Sequence, residues 1–354
     1  MDRKRLRELG ITIGQLPTGE KNCITDVSDV HVGHETLYEP LEDDEYIATG
    51  VTAILPHNRN LFREKVAAAS YIVNGFGKTT GLVQLEELGR LESPIMLTNT
   101  FGVPAVTHGT LEYMLEKTPE IGDTTGTINV VVGECNDGYL NAVRNLSVQP
   151  NHAKQAIENA TPNKVAEGAV GAGTGMVCFE YKGGIGTSSR LIKDAHAKDH
   201  YTLGCLVLSN FGKQEELMRH SIIASEAKNK KTASHKNMDG SIMIVLATDM
   251  PLNERQLKRM AKRASVGLGR SGSHIAHGSG DIVIAFSTAQ TFSHDNKEQL
   301  EQVVQLREDH PLMNELFTGV AEAIEEAILN SLAKATTTKG RKQRTVEALP
   351  YEFM

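Results

Sequence analysis

The chain has no tryptophan, nine phenylalanines and eight tyrosines among 354 residues, and only four cysteines. Basic residues are not in excess either: the net charge is −7, with a pI near 6.0. With no basic stripe interleaved with aromatics, nucleic acid is not an expected partner. The four cysteines, Cys23, Cys135, Cys178 and Cys205, lack CxxC spacing, and two of them sit inside apolar runs. That pattern argues against a zinc site and fits a reducing compartment. No apolar run approaches the roughly 20 residues of a membrane helix. The first residues, MDRKRLRELGITIG, carry four basic side chains and no apolar core of a signal peptide. The expectation is a soluble, cytoplasmic protein with no membrane partner and no metal or cofactor.

What is present is an ordinary globular balance, 40% hydrophobic and 23% charged. A domain of this size buries roughly three quarters of its unfolded surface and needs no staple. Thirty-two glycines point to many turns and close backbone approaches. Strand character appears at residues 51–55, 127–134, 175–182, 202–210, 241–249 and 281–288, nearly continuous apolar runs bounded by Gly, Asn or Asp. Such runs suit sheets covered on both faces. Helical periodicity appears at Leu257, Met260, Ala261 and Ala264, and again from Leu316 through Ile324 and Ile328 to Leu332. Glu325 and Glu326 are expected toward the opposite side of that last helix.

Two glycine-rich stretches carry no nucleotide chemistry. NGFGKTTG (74–81) has Ile72 where a phosphate loop needs its first glycine, and GLGRSG (267–272) follows a helix rather than a strand. His31 and His34 lack the helical spacing of a metalloprotease pair.

Residues 226–240, EAKNKKTASHKNMDG, have almost nothing to bury, and a strand begins at once with Ser241. A surface loop ending in an Asp-Gly turn is one reading. The other is chemical. If the Gly240–Ser241 bond is cut, the new α-amino group, with an intrinsic pKa near 8, can take the proton of the Ser241 hydroxyl. Glycine before the serine suits this because it tolerates strained backbone.

At this point the sequence resembles the DmpA-type aminopeptidases, self-cleaving hydrolases that include L-aminopeptidase/D-amidase-esterases and β-peptidyl aminopeptidases. The likeness is carried by NMDGSIMIVLATDMPL (237–252) and by GITIGQLPTGEKNCITDVSDVHVGHETL (10–37), TGVTAILPH (49–57) and NGFGKTTGL (74–82). It continues through VVGECNDGYLN (131–141), GAGTGMVCFEYKGGIGTSSR (171–190), LVLSNFG (206–212), HGSGDIVIAFST (277–288) and TVEALP (345–350), in order along nearly the whole chain.

The resemblance implies a four-layer αββα sandwich of mixed α/β class, as in DmpA and the ornithine-acetyltransferase-like scaffold. It implies one domain over 1–354, cut into 1–240 and 241–354, and a homo-oligomer, a tetramer or larger. By position, Ser241 matches the nucleophile and Gly240–Ser241 the cleavage site. Ser279 and Asp281 match a serine and a carboxylate that polarise the nucleophile, with Asp one methylene shorter than the Glu of some members. Asn210 matches an oxyanion-hole asparagine, Tyr139 a tyrosine near the scissile carbonyl, and Glu134 an acidic residue that pairs with a substrate amino group. The implied activity is release of N-terminal residues from small peptides, amides or esters. The base is either the Ser241 amine or Ser279. An acyltransferase on the ornithine-acetyltransferase-like scaffold, whose family uses threonine, and a non-processing oligomeric binding protein are the alternatives. Taken singly, Asn210 reads equally as a turn residue, Asp281 as a strand cap and Tyr139 as packing.

Overall fold

The computed structural model describes residues 3–193, 200–218 and 240–353 of the chain. The polar segment 226–239 lies outside the described residues. The elements are β1 (His31–Pro40), β2 (Tyr46–Leu55), β3 (Glu64–Gly75), α1 (Leu82–Leu88), β4 (Arg90–Leu91), β5 (Ile95–Asn99), α2 (Val103–Lys117), β6 (Val131–Cys135) and α3 (Pro150–Glu158). They continue with β7 (Val177–Cys178), β8 (Tyr181–Lys182), β9 (Gly184–Ile192), β10 (Tyr201–Asn210), α4 (Gln214–Met218), β11 (Ser241–Thr248), α5 (Glu254–Lys262), α6 (Ala264–Arg270), β12 (Gly280–Ser293) and α7 (Leu312–Lys334).

One sheet has the order β1-β2-β5-β6, and a six-stranded sheet has the order β4-β3-β12-β11-β10-β9. β11 shows why the sheets stack. All eight of its residues are buried, as expected for a strand covered on both faces. Met243, Val245 and Ala247 face Val32, Ile54, Leu97 and Val131 of the smaller sheet. Ile242, Ile244 and Leu246 face the other way, toward Leu257 and Met260 of α5 and Leu316, Ile324 and Ile328 of α7. The outer face of the smaller sheet is covered by α2 and α3 through Val106, Met114, Ala153 and Ile157. The order helix, sheet, sheet, helix is the expected αββα sandwich.

Four expectations change in detail. The run 127–134 is strand only from Val131 onward, in β6. The run 175–182 is not one strand but the short hairpin β7–β8, turning at Phe179 and Glu180 with φ of +50° and +62°. The periodicity at 257–264 spans two helices, because α5 ends before Arg263 and α6 begins after it. Glu326 does not face solvent: it is fully buried, 2.8 Å from Arg190 of β9 and 2.8 Å from Arg7. Glu322, one turn earlier on α7, also contacts Arg190 at 3.1 Å. Two long-range guanidinium partners make an inward glutamate tolerable, which no local periodicity can register.

Candidate active site

The register of three strands builds the site. β10 pairs antiparallel with β11 and sets Asn210 opposite Ser241; β12 pairs parallel with β11 and sets Gly280 opposite Ser241. Residues distant in sequence thus meet at one end of the larger sheet. Ser241 belongs to the same alternating set as Met243 and Val245, so it lies on the face turned toward the smaller sheet. That sheet is tied to the same end by Cys135 at the close of β6, whose Sγ–H donates to the Leu208 carbonyl at 3.4 Å.

One backbone donor faces both the carbonyl oxygen next to the bond expected to break and the hydroxyl expected to attack it. The Gly280 N–H lies 3.3 Å from the Gly240 carbonyl oxygen and 3.4 Å from Ser241 Oγ. A side chain at Gly280 would put a Cβ 2.8 Å from the Phe76 carbonyl oxygen and 2.9 Å from Gly77 Cα. Gly240 is glycine for a related reason, since a Cβ there would sit 2.4 Å from Phe211 Cα.

Asn210 is the last residue of β10 and not a turn residue. Its Oδ1 accepts from the Val177 N–H at 2.8 Å, and its Nδ2 donates to the Asn136 carbonyl at 3.0 Å. Those two partners fix which end of the amide is which and leave a second Nδ2 proton.

Ser279 and Asp281 flank Gly280 and bond to each other. The Ser279 hydroxyl donates to Asp281 Oδ1 at 2.6 Å, and both residues are buried. Burial pushes the Asp281 carboxyl up to about 6, against the opposing pull of the Ser279 hydrogen bond. The turn before them is held by Asn74, whose Nδ2 donates to the carbonyls of Ala276 at 3.1 Å and His277 at 3.0 Å, and to that of Ser279.

Glu134, on β6, is buried; it accepts from the Lys78 N–H at 3.0 Å and from the Thr100 hydroxyl. A carboxylate has room for further donors beyond these two. The segment 74–80 therefore runs from the Ser279 turn to Glu134 and links the two sheets. Tyr139 packs with Leu140, Val177 and Val346, with the Arg344 guanidinium 4.5 Å from its ring centre. The structure thus brings Ser241, Asn210 and Gly280 together by register, joins Ser279 to Asp281, and holds Tyr139 beside Val177.

Sequence reasoning missed the Gly280 N–H, the Val177 N–H and the Asn136 carbonyl, because backbone groups leave no residue-type signature. The Gly-Ser-Gly-Asp string at 278–281 was the available signal for the first. Among the described residues no cluster of His, Cys, Asp and Glu could hold a metal ion, and the four cysteines are free and buried. Among them, too, no helix is long and apolar enough to cross a membrane.

Comparison with known proteins identifies the family and the fold. The family model for peptidase family S58 matches residues 22–346. The β-peptidyl aminopeptidase BapA of Sphingosinicella microcystinivorans is 38% identical, over 98% of this chain and 90% of that protein. Among solved structures, the PH0078 protein of Pyrococcus horikoshii OT3 superposes with a TM-score of 0.91 at 46% identity, covering 99% of this chain and 97% of that one. The L-aminopeptidase D-Ala-esterase/amidase of Ochrobactrum anthropi, a prototype for the serine aminopeptidases, superposes with a TM-score of 0.90 at 33% identity, covering 99% and 96%. That structure is described as a variant among the Ntn-hydrolase folds. The chain belongs to peptidase family S58 and is an aminopeptidase on this Ntn-hydrolase fold.

Proposed function

We propose that the Gly240–Ser241 bond is cut by the chain itself and that Ser241, freed as a new N-terminus, is the nucleophile of the aminopeptidase. The observation that carries this reading is the shared donor: one N–H, that of Gly280, faces both the Gly240 carbonyl oxygen and Ser241 Oγ. Attack by Oγ on the Gly240 carbonyl carbon forms a C–O bond and moves charge onto the oxygen that this N–H faces, while the hydroxyl proton passes to the departing Ser241 nitrogen. Collapse breaks the C–N bond, leaves an ester on Oγ and frees the α-amine; water then hydrolyses the ester.

In turnover, Glu134 receives the amino group of the substrate and so selects for a free N-terminus. Ser241 Oγ attacks the first carbonyl, and its own α-amine takes the proton. The Ser279 hydroxyl, already donating to Asp281, has lone pairs left to accept from that amine and holds it in place. Asn210 Nδ2 and the Gly280 N–H stabilise the oxyanion, with Tyr139 beside them. The proton passes to the leaving amine, and water releases the acyl group.

The substrates we propose are small peptides, amides and esters. The β-peptidyl names of relatives covering nearly the whole chain support trying β-amino substrates first. The working form we propose is a cytoplasmic homo-oligomer, a tetramer or larger; exposed Ile72, Phe76, Val83 and Leu88 on and beside β3 and α1 support an apolar contact there. The test is hydrolysis of β-alanyl and L-alanyl p-nitroanilides beside their N-acetylated forms. Cleavage of the free-amine substrates alone supports the Glu134 reading, and equal cleavage of the acetylated forms contradicts it.

A further inference from the structure

Lys182 is fully buried, and among the described residues it forms no ion pair. Its three ammonium protons go instead to the carbonyls of Gly173, Met176 and Gly183, each at 2.9 Å. Burial draws its ionisation down to about 7, so an ammonium is an expensive way to fill this space. What it ties together is the segment 173–183, which contains the β7–β8 hairpin. That hairpin turns through Phe179 and Glu180, both left-handed, where Asn-Gly would be the relaxed choice. Strained turns of this kind persist where surrounding contacts over-determine them.

The hairpin in turn holds two walls of the site. Its Val177 N–H donates to Asn210 Oδ1 at 2.8 Å, and its Phe179 N–H donates to the Phe211 carbonyl at 2.6 Å. The Phe179 ring meets the Phe211 ring edge-on, 5.0 Å between centres. Phe211 Cα is the surface against which Gly240 lies.

We infer that Lys182 is a positioning residue: by clamping three carbonyls it fixes the Val177 N–H, and through it the Asn210 amide with Nδ2 turned to the oxyanion. This rests on the reading of Asn210 given above. The amide is pinned at both ends, so loosening the Val177 end frees it to rotate.

The experiment uses the full chain carrying Lys182→Met, which fills the space without donors, and Lys182→Gln, which keeps two. Each is also made with Glu180→Gly, which relaxes the turn and restores stability independently of the lysine. Thermal midpoint, processing rate by intact mass, and kcat and KM per processed chain are measured, with Asn210→Ala alone and combined with Lys182→Met. The expected result is a Lys182→Met/Glu180→Gly protein that melts within a few degrees of wild type yet loses on the order of tenfold or more in kcat. KM stays within about twofold, Lys182→Gln falls between, and Lys182→Met adds no further loss to Asn210→Ala. Wild-type kcat in the folded variants, or losses that multiply with that of Asn210→Ala, would overturn the inference. Failure of every variant to fold would also overturn it, making Lys182 a folding residue only. Wild-type turnover in Asn210→Ala would instead sink the Asn210 reading, which is a separate result.

Discussion

A serine hydroxyl is a weak nucleophile at neutral pH, and in the mechanism proposed above the residues around Ser241 divide the work of activating it. Asn210 and the Gly280 N–H are fixed dipoles, and a donor of this kind typically lowers a barrier by about 3–4 kcal/mol. Asn210→Ala is therefore expected to lose on the order of a hundredfold or more in kcat, measured on processed enzyme. Asp281 makes a prediction of a different form. Its carboxyl is held up to about 6, and the ionised form is the one that accepts the Ser279 proton, so turnover should rise from pH 5 to pH 7. Stability should move the other way. An unfolded Asp releases its proton near pH 4, so between about 4 and 6 the native state binds more protons, and stability falls as pH rises. Asp281→Asn should flatten both limbs in rate and melting profiles; an unchanged acid limb in kcat would remove Asp281 from the mechanism. Asp137 and Glu167, each raised by burial to about 7, add stability slopes of the same sign, so the comparison is made against the variant.

At the scale of elements, the site is a consequence of strand register. The parallel match of Ser241 to Gly280 depends on the close approach of Phe76 and Gly77 to Gly280. Gly280→Ala should open that edge and abolish processing, seen as a persistent full-length chain on denaturing gels; normal processing would mean that the close approach of Phe76 and Gly77 does not hold the register. The α7 helix lies directly on β9, where a Cβ at Gly186 would stand 1.9 Å from the Ala327 carbonyl oxygen. Gly186→Ala is expected to destabilise by several kcal/mol in denaturant titration, as overpacking at a helix–sheet contact does. The central strands β10, β11 and β12 were legible in the sequence because continuous apolar runs permit little else. β9 was not, because its Ser188, Ser189 and Arg190 look exposed and are buried. Ser188 Oγ–H donates to the Ala323 carbonyl at 2.6 Å, and Arg190 meets Glu322 and Glu326. The hairpin within 175–182 was hidden because Phe and Glu carry no turn signature, and its brace is a lysine whose partners only the fold reveals.

For the whole molecule, the larger sheet is shared across the proposed cleavage point. β11 and β12 follow Gly240, while β3 and β10, which flank them, precede it. Cleavage would leave the two pieces joined by ladders on both sides and by the core between sheet and helices. The fragments should co-elute under native conditions and separate only in denaturant; native dissociation would contradict this account of the core. The sandwich itself was legible mainly through family resemblance, as were the roles proposed for Glu134, Asn210 and Ser241, because these residues come from strands that no local pattern pairs. The measurement that tests the central claim most directly is intact mass under denaturing conditions, wild type beside Ser241→Ala. The account predicts fragments 1–240 and 241–354 for wild type, and a single 38.5 kDa chain without peptidase activity for Ser241→Ala. A wild-type chain that hydrolyses peptide amides while remaining at 38.5 kDa would contradict it.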